Sequence, residues 1–151
     1  MKNILFFAKL RSLGDVKGLA IGADGGEVDI EMSLDEVTVD NLDVLLFIDG
    51  SGCLRHLDNE KSYRIARGTF SKGVMLSAIC ISSVILAKTG LLDGREATVW
   101  IGSIDRSAVK ISEDHGAKLR DESVVVTGKG GRPQPFYLEN VLTTDICRFV
   151  N

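Results

Sequence analysis

The chain has 151 residues and a net charge of −3, with 44% hydrophobic and 26% charged residues. This length and composition predict one soluble globular domain over residues 1–151, with a hydrophobic core, and they exclude a disordered chain. Lysines and arginines are scattered among acidic residues, so the sequence lacks the electrostatic footprint of a nucleic-acid-binding protein.

Cysteine usage and the amino-terminal segment indicate the compartment. The chain has three cysteines, none of them in a CxxC spacing, which argues against a disulfide framework and against a zinc site. We therefore expect no metal and no cofactor. Such cysteine usage is typical of the reducing cytosol. Met1–Ala8 is apolar over too few residues for a signal peptide or a membrane span, so we expect a cytoplasmic protein with no membrane partner.

Strands and helices alternate along most of the chain. Short apolar runs predict buried strands at Asn3–Ala8, Asp43–Ile48, Val74–Ile79, Ala97–Ile101 and Ser123–Thr127. Capping and spacing signals predict helices at Asn59–Lys72, Ser82–Thr89 and Pro135–Phe149. This alternation predicts an α/β fold whose parallel sheet is covered on both faces.

The segment before the second of these strands departs from the alternation. Leu19–Glu36 contains a Gly-Gly pair between two apolar runs, which predicts an antiparallel β-hairpin appended to the sheet. The spacing of Ser33 and Glu36 is that of a capping box, so a short helical turn should follow the hairpin. Lys9–Lys17 is too short for the crossover helix that joins parallel strands, which predicts a reduced first βα unit.

Cys80 lies between the end of a predicted strand and the start of a predicted helix. Small residues, Ala78 and Ser82, flank it at two positions on either side, as the tight turn of a nucleophile elbow requires. Amide groups at the helix start would favour the thiolate, which is the reactive form of cysteine. The alternative is an inert packing cysteine, which is the common role of a buried thiol.

Two glycine-rich loops should reach the same edge of the sheet, because ligands of open parallel sheets bind at the carboxyl ends of the strands. Asp49–Cys53 follows a strand, and an N–H of Ser51 or Gly52 could join the Ile81 N–H in an oxyanion hole. Thr127–Arg132 carries two cations that would favour an anionic ligand. The first loop could equally be an ordinary turn, and the second lacks the spacing of a P-loop.

A cysteine nucleophile usually needs a base. Asp49 is the best-placed carboxylate, and it could orient water, bond to Cys80 or cap the turn. The sequence holds two histidines. His56 follows the first glycine-rich loop and is the candidate proton-transfer group, while His115 lies in a polar run that predicts solvated surface. The alternative for each histidine is an incidental residue without a catalytic role, since histidines are common on surfaces and loops.

Three segments resemble the ThiJ/PfpI family of the class I glutamine amidotransferase-like superfamily: Asp43–Gly52, Val74–Thr98 and Val125–Gly131. The resemblance covers most of residues 18–150. It implies a flavodoxin-like three-layer α/β sandwich with a mostly parallel sheet, a nucleophile at Cys80 and a homo-oligomer, dimeric or larger. Members of the family include cysteine peptidases, glyoxalase- or deglycase-like enzymes and redox-sensing stress proteins, so the implied substrate is a small carbonyl compound or a peptide.

The chain also departs from the family at three places. Ile81 stands where peptidase-like members have a histidine, and Trp100 stands where other members have one. Lys9–Lys17 contains no glutamate, whereas most members have one there to tune the cysteine. These departures predict a thiol hydrolase or lyase with weak or no activity. The alternatives are a non-catalytic redox-sensing stress protein and an oligomeric interaction module.

Overall fold

The computed structural model describes residues 11–21, 25–49, 53–101, 106–127 and 136–139. The first predicted strand, Asn3–Ala8, lies outside these ranges. The strands are β1 (Leu13–Gly14), β2 (Gly18–Ile21), β3 (Glu27–Ile30), β4 (Met32–Ser33), β5 (Val44–Asp49), β6 (Met75–Cys80), β7 (Glu96–Ala97), β8 (Lys118–Leu119), β9 (Val124–Thr127) and β10 (Phe136–Glu139). The helices are α1 (Cys53–His56), α2 (Glu60–Ser71), α3 (Ser83–Lys88) and α4 (Ser107–Asp114), with 3₁₀ turns at Leu34–Glu36 and Val39–Asn41.

Within the described residues, a four-stranded sheet with the order β5-β6-β10-β9 forms the centre of the fold. β6 pairs in parallel with β5 on one side and with β10 on the other, whereas β10 and β9 are antiparallel. The α/β class with a mostly parallel sheet is therefore confirmed, including the strands predicted at Asp43–Ile48, Val74–Ile79 and Ser123–Thr127.

One face of this sheet packs on α2 and α3. Leu45 and Phe47 of β5 join Leu76 and Ala78 of β6 in a cluster of buried apolar side chains. The helices contribute Ile65, Ala66, Ile85, Leu86 and Ala87 to that cluster. Burial of these side chains is the main stabilising contribution to the fold.

The opposite face of the sheet carries exposed valine and leucine side chains. Val44 and Leu46 alternate with buried residues of β5, and Val124 and Val126 do the same in β9. Among the described residues, the covering predicted for both faces is thus observed on one face.

Local signals correctly located the hairpin, from its Gly-Gly pair, and the turn after it and α2, from their caps. β2 and β3 pair antiparallel as a sheet of their own. The predicted capping box of Ser33 and Glu36 is present, and in it the Ser33 backbone N–H donates to the Glu36 carboxylate at 2.9 Å. Residues 11–17 contain no helix, in accord with a reduced first βα unit. α2 begins after Asn59, whose side chain accepts from the Ser62 N–H at 3.0 Å.

Two predicted elements were wrong in part. The helix predicted at Pro135–Phe149 is a strand over Phe136–Glu139, because that segment fills the position between β6 and β9 and pairs with both. Its remainder lies outside the described residues. Of the strand predicted at Ala97–Ile101, only Ala97 belongs to a ladder. The Thr98 hydroxyl donates instead to the Glu122 carbonyl, and the Trp100 N–H to the Cys80 carbonyl.

α4 was missed by the sequence patterns. It begins after Arg106 without a side-chain cap, so the sequence carries no start signal for it. Its apolar residues Ala108 and Val109 pack with Val84 and Val99 in a second buried cluster.

None of the helices in the described part of the chain is long and apolar enough to cross a bilayer.

Candidate functional site around the strand-to-helix elbow

Cys80 occupies a strained position at the end of β6. Its φ is +63°, and among the described residues it is the only one other than glycine with a positive φ. A left-handed conformation costs an L residue with a side chain about 1–2 kcal/mol. The turn Ile81-Ser82 follows, and α3 begins at Ser83. This is the backbone shape of a nucleophile elbow.

The Ser82 hydroxyl fastens this turn to two strands. It accepts a hydrogen bond from the Ile79 N–H at 3.1 Å. It also lies 2.7 Å from the Ile79 carbonyl oxygen and 2.9 Å from the Phe47 carbonyl oxygen, to one of which it donates its proton. Ser82 is fully buried, so these bonds form away from water, where an unpaired polar group is costly.

The surroundings of Cys80 leave little open surface. The residue is 2% exposed. Its carbonyl accepts from the Trp100 N–H at 3.4 Å, which brings the segment after β7 beside the elbow. Trp100 is the single tryptophan of the sequence. A molecule that reaches the sulfur must therefore be small or must displace neighbouring groups.

The register places Asp49 next to Cys80. Asp49 is the last residue of β5 and the ladder partner of Cys80 in β6. The loops after these two strands therefore leave the same edge of the sheet, as expected for a ligand site. Ser51 and Gly52 lie outside the described residues, as does most of the second glycine-rich loop, Thr127–Arg132. The oxyanion hole of Ile81 with Ser51 or Gly52 stays a prediction.

Both histidines bond to partners in their own surroundings. His56 is exposed, and its Nδ1 lies 3.2 Å from Oδ2 of Asp15. His115 follows α4, and its Nδ1 lies 2.7 Å from the Ile111 carbonyl oxygen. The role of His56 in proton transfer to Cys80 stays a prediction.

A group of titratable side chains with shifted pKa values lies at the far end of α3. Burial raises the pKa of Asp58, but hydrogen bonds from Lys88 and Tyr63 outweigh it and leave that pKa below its ordinary value. Burial, followed by the hydrogen bond to Asp58, raises the pKa of Tyr63. Lys88 is the last residue of α3, so this group anchors the helix that starts at the elbow.

The described residues contain no cluster of three or more histidine, cysteine or acidic side chains that could hold a metal ion.

Sequence patterns found Cys80 and its neighbours but missed the function of the Ser82 hydroxyl. The available signal was a small residue with a hydroxyl two positions after the cysteine. Such a residue satisfies the steric demand and can also bond to the strand ends.

Comparisons with known proteins identify the relatives of this chain. The model of the DJ-1/PfpI family matches residues 8–137. Deglycase PfpI of Pyrococcus furiosus is 35% identical over 112 residues, which are 74% of this chain and 64% of that protein. The uncharacterized protein MJ0967 of Methanocaldococcus jannaschii is 30% identical over 121 residues, which are 80% of this chain and 58% of that protein. The matches thus span less than two thirds of these relatives' own length.

Solved structures agree on the fold. A ThiJ/PfpI domain protein from Brachyspira murdochii superposes with a TM-score of 0.75 at 20% identity, over 90% of this chain and 73% of that chain. A ThiJ/PfpI family protein from Pseudomonas syringae gives 0.70 at 19% identity, over 91% of this chain and 52% of that chain. At these identities the likeness establishes the flavodoxin-like α/β fold.

Proposed function

The chain belongs to the DJ-1/PfpI family, and from this premise we propose that it is a cysteine-dependent enzyme of the deglycase or glyoxalase type, acting on small carbonyl compounds through Cys80. Curated relatives named deglycases, at 32–35% identity, support this class of activity. The match to only part of their length makes the activity of this chain a proposal rather than a transfer of theirs.

The single observation that carries the proposal is the backbone of Cys80. A φ of +63° at a non-glycine residue is costly, and such strain persists where the surrounding structure holds it in place. Here the Ser82 hydroxyl holds the turn. It accepts a hydrogen bond from the Ile79 N–H and donates one to the carbonyl oxygen of Ile79 or of Phe47. A packing cysteine would gain nothing from this conformation, whereas a nucleophile gains a sulfur placed at a tight strand-to-helix turn.

The proposed step is addition of the thiolate to a carbonyl group. The Cys80 sulfur donates an electron pair to the carbonyl carbon, a carbon–sulfur bond forms, and the carbonyl π pair moves to oxygen. The N–H groups of Ile81 and of Ser51 or Gly52 would stabilise that oxyanion. Water, Asp49 or His56 would accept the thiol proton as the thiolate forms and return it to the oxyanion, which completes the hemithioacetal.

Burial of the cysteine favours a small substrate over a peptide. Cys80 is 2% exposed, and a peptide bond reaches a nucleophile only with several flanking residues around it. A compound of a few non-hydrogen atoms needs a much narrower approach. This argument selects the small carbonyl compound from the two substrate classes that the sequence predicted.

The first experiment measures consumption of methylglyoxal, a small dicarbonyl compound, by the intact chain. We expect Cys80→Ala to reduce the rate to the background of the buffer. The matched controls Cys53→Ala and Cys147→Ala should retain the rate of the unaltered protein. Consumption that survives Cys80→Ala in a folded protein would overturn the proposal.

A second experiment follows alkylation of Cys80 by iodoacetamide as a function of pH, with peptide mapping to identify the residue. An activated thiol should reach half of its plateau rate below about pH 8.5, the value of an ordinary cysteine. A midpoint at or above that value would contradict activation. An activated Cys80 that is oxidised by peroxide but does not turn over methylglyoxal would favour the redox-sensing alternative.

A further inference from the structure

A cavity of about 50 Å³ lies beside β5, apart from the elbow. Among the described residues it is bordered by β5, by the 3₁₀ turn at Leu34–Glu36 and by the start of α2. The described residues that line it are apolar except for one serine: Leu13, Leu34, Leu45, Leu46, Phe47, Ile48, Leu57, Ile65 and Ser62.

Ser62 is the polar residue among the described residues of this wall, and its side chain has no hydrogen-bond partner. Ser62 is fully buried, and its Oγ bonds to no other group of the protein. An unsatisfied buried hydroxyl costs about 1–3 kcal/mol. A serine in a helix usually bonds back to a carbonyl of the preceding turn, as Thr69 does to Ile65 in the same helix. The Ser62 hydroxyl is therefore available to a molecule in the cavity.

The walls determine the chemistry of that molecule. None of the described residues that line the cavity is charged, and burying an unpaired charge there would be far more costly than burying an uncharged group. A cavity of about 150 Å³ accommodates benzene, so this smaller space suits about three or four non-hydrogen atoms. We propose that the cavity is a binding site for a small uncharged alcohol or carbonyl compound, whose single polar group hydrogen-bonds to Ser62.

This site is distinct from the one around Cys80, and its occupancy does not depend on the proposed activity. Phe47 is the residue that the two sites share. Phe47 lines the cavity, and its carbonyl oxygen lies 2.9 Å from the Ser82 hydroxyl at the elbow. A ligand here would lie near the elbow but would not be a substrate of Cys80.

The test is a titration of the intact protein with 2-propanol, followed by the NMR shifts of leucine, isoleucine and valine methyl groups. We expect saturable shifts at Leu34, Leu45 and Ile65, with a Kd in the millimolar range typical of ligands this small. The exposed Val126 should respond weakly and without saturation. Propionate, which has a similar size but carries a charge, should leave the cavity methyl groups unshifted.

Three variants test the role of Ser62. Ser62→Ala keeps the cavity but removes the hydroxyl, and it should raise the Kd about 3- to 10-fold. Ser62→Val fills part of the space and should abolish saturable binding. Ser112→Ala is the matched control, because Ser112 is also buried with an unpartnered hydroxyl but lies in α4.

The proposal is overturned if 2-propanol produces no saturable shift, if propionate shifts the same methyl groups, or if Ser62→Val binds as the unaltered protein does. A contact between water and Ser62 that persists at saturating 2-propanol would also overturn it. Should Ser62→Val fail to unfold cooperatively, Ser62→Ala alone decides: an unchanged Kd refutes the hydrogen bond, and a raised Kd supports it.

Discussion

At the scale of single residues, the elbow depends on two neighbouring residues, Cys80 and Ser82. Cys80 adopts the strained φ, and Ser82 supplies the hydrogen bonds that hold it. The cysteine could be found from sequence because an apolar run, a cysteine and small flanking residues are local signals. The hydroxyl contact to Phe47 could not, since its partner lies 35 residues away in the chain and is brought close only by strand pairing.

The strain at Cys80 can be measured by comparing two substitutions. Cys80→Gly and Cys80→Ala both remove the sulfur, but glycine adopts a positive φ without penalty. We expect the glycine variant to be more stable than the alanine variant by about 1 kcal/mol, as measured by urea unfolding. Equal stabilities, or a more stable alanine variant, would mean that residue 80 is relaxed.

Ser82 and Ser83 form a matched pair of buried serines. Ser82→Ala removes a bonded hydroxyl and leaves partners unsatisfied, which should cost about 1–3 kcal/mol. Ser83→Ala removes a hydroxyl that has no hydrogen-bond partner, so it should cost less than about 0.5 kcal/mol. Denaturant unfolding of both variants checks the difference, and similar losses would refute the proposed fastening of the elbow.

At the scale of elements, α3 runs from the elbow at its first turn to an ion pair at its last residue. Its first turn follows the elbow, and its last residue, Lys88, pairs with Asp58. The Asp58 carboxylate also accepts from the Tyr63 hydroxyl, so one carboxylate links α3 to α2. Such a network holds the helix in place relative to the sheet and thereby fixes the position of the elbow.

This network predicts a pH dependence of stability. Because the folded pKa of Asp58 lies below its ordinary value of 3.8, its contribution is complete above that pH and is lost as the pH falls through the folded pKa. Asp58→Asn should destabilise the protein at pH 7 by about 1–3 kcal/mol. The difference from the unaltered protein should shrink below about pH 4.

Asp35→Asn is the control for that experiment. Asp35 pairs with Lys61 on the exposed surface at 2.5 Å, and exposed ion pairs contribute about 0–1 kcal/mol. Urea unfolding is measured between pH 7 and pH 3. At neutral pH, Asp58→Asn should therefore lower the free energy of unfolding more than Asp35→Asn does. A constant difference between Asp58→Asn and the unaltered protein across that range would contradict the predicted pKa.

Sequence patterns located elements well where the signals were local and poorly where pairing decided the outcome. α2 was predicted because Asn59 is a recognisable cap. α4 begins without one and is held by packing against α3. Phe136–Glu139 follows a proline and resembled a helix start, but the gap between β6 and β9 requires a strand there.

At the scale of the whole molecule, the sheet has two unlike faces. One face forms the main apolar cluster with α2 and α3. The other exposes valine and leucine side chains of β5 and β9. The fold class and the sheet were predictable from alternating apolar runs, but the composition of such runs does not reveal which face the helices cover. The homo-oligomer inferred from the family resemblance stays a prediction.

Neighbouring valines in β9 test this assignment of faces. Val125 is 4% exposed and Val126 is 53% exposed. Val125→Ala should cost about 1–3 kcal/mol through lost burial and an incompletely filled space, whereas Val126→Ala should cost less than about 0.5 kcal/mol. Thermal unfolding of the two variants makes the comparison, and the reverse order would assign the core to the other face.

The hairpin of β2 and β3 has a practical consequence for anyone handling this protein. It is a two-stranded sheet separate from the central one, and Leu19 and Ile21 are more than half exposed. Isolated hairpins are marginally stable in water, and such segments open without global unfolding. Brief digestion with a broad-specificity protease should therefore nick the chain near Gly25 first, leaving a large carboxyl-terminal fragment that still contains the elbow.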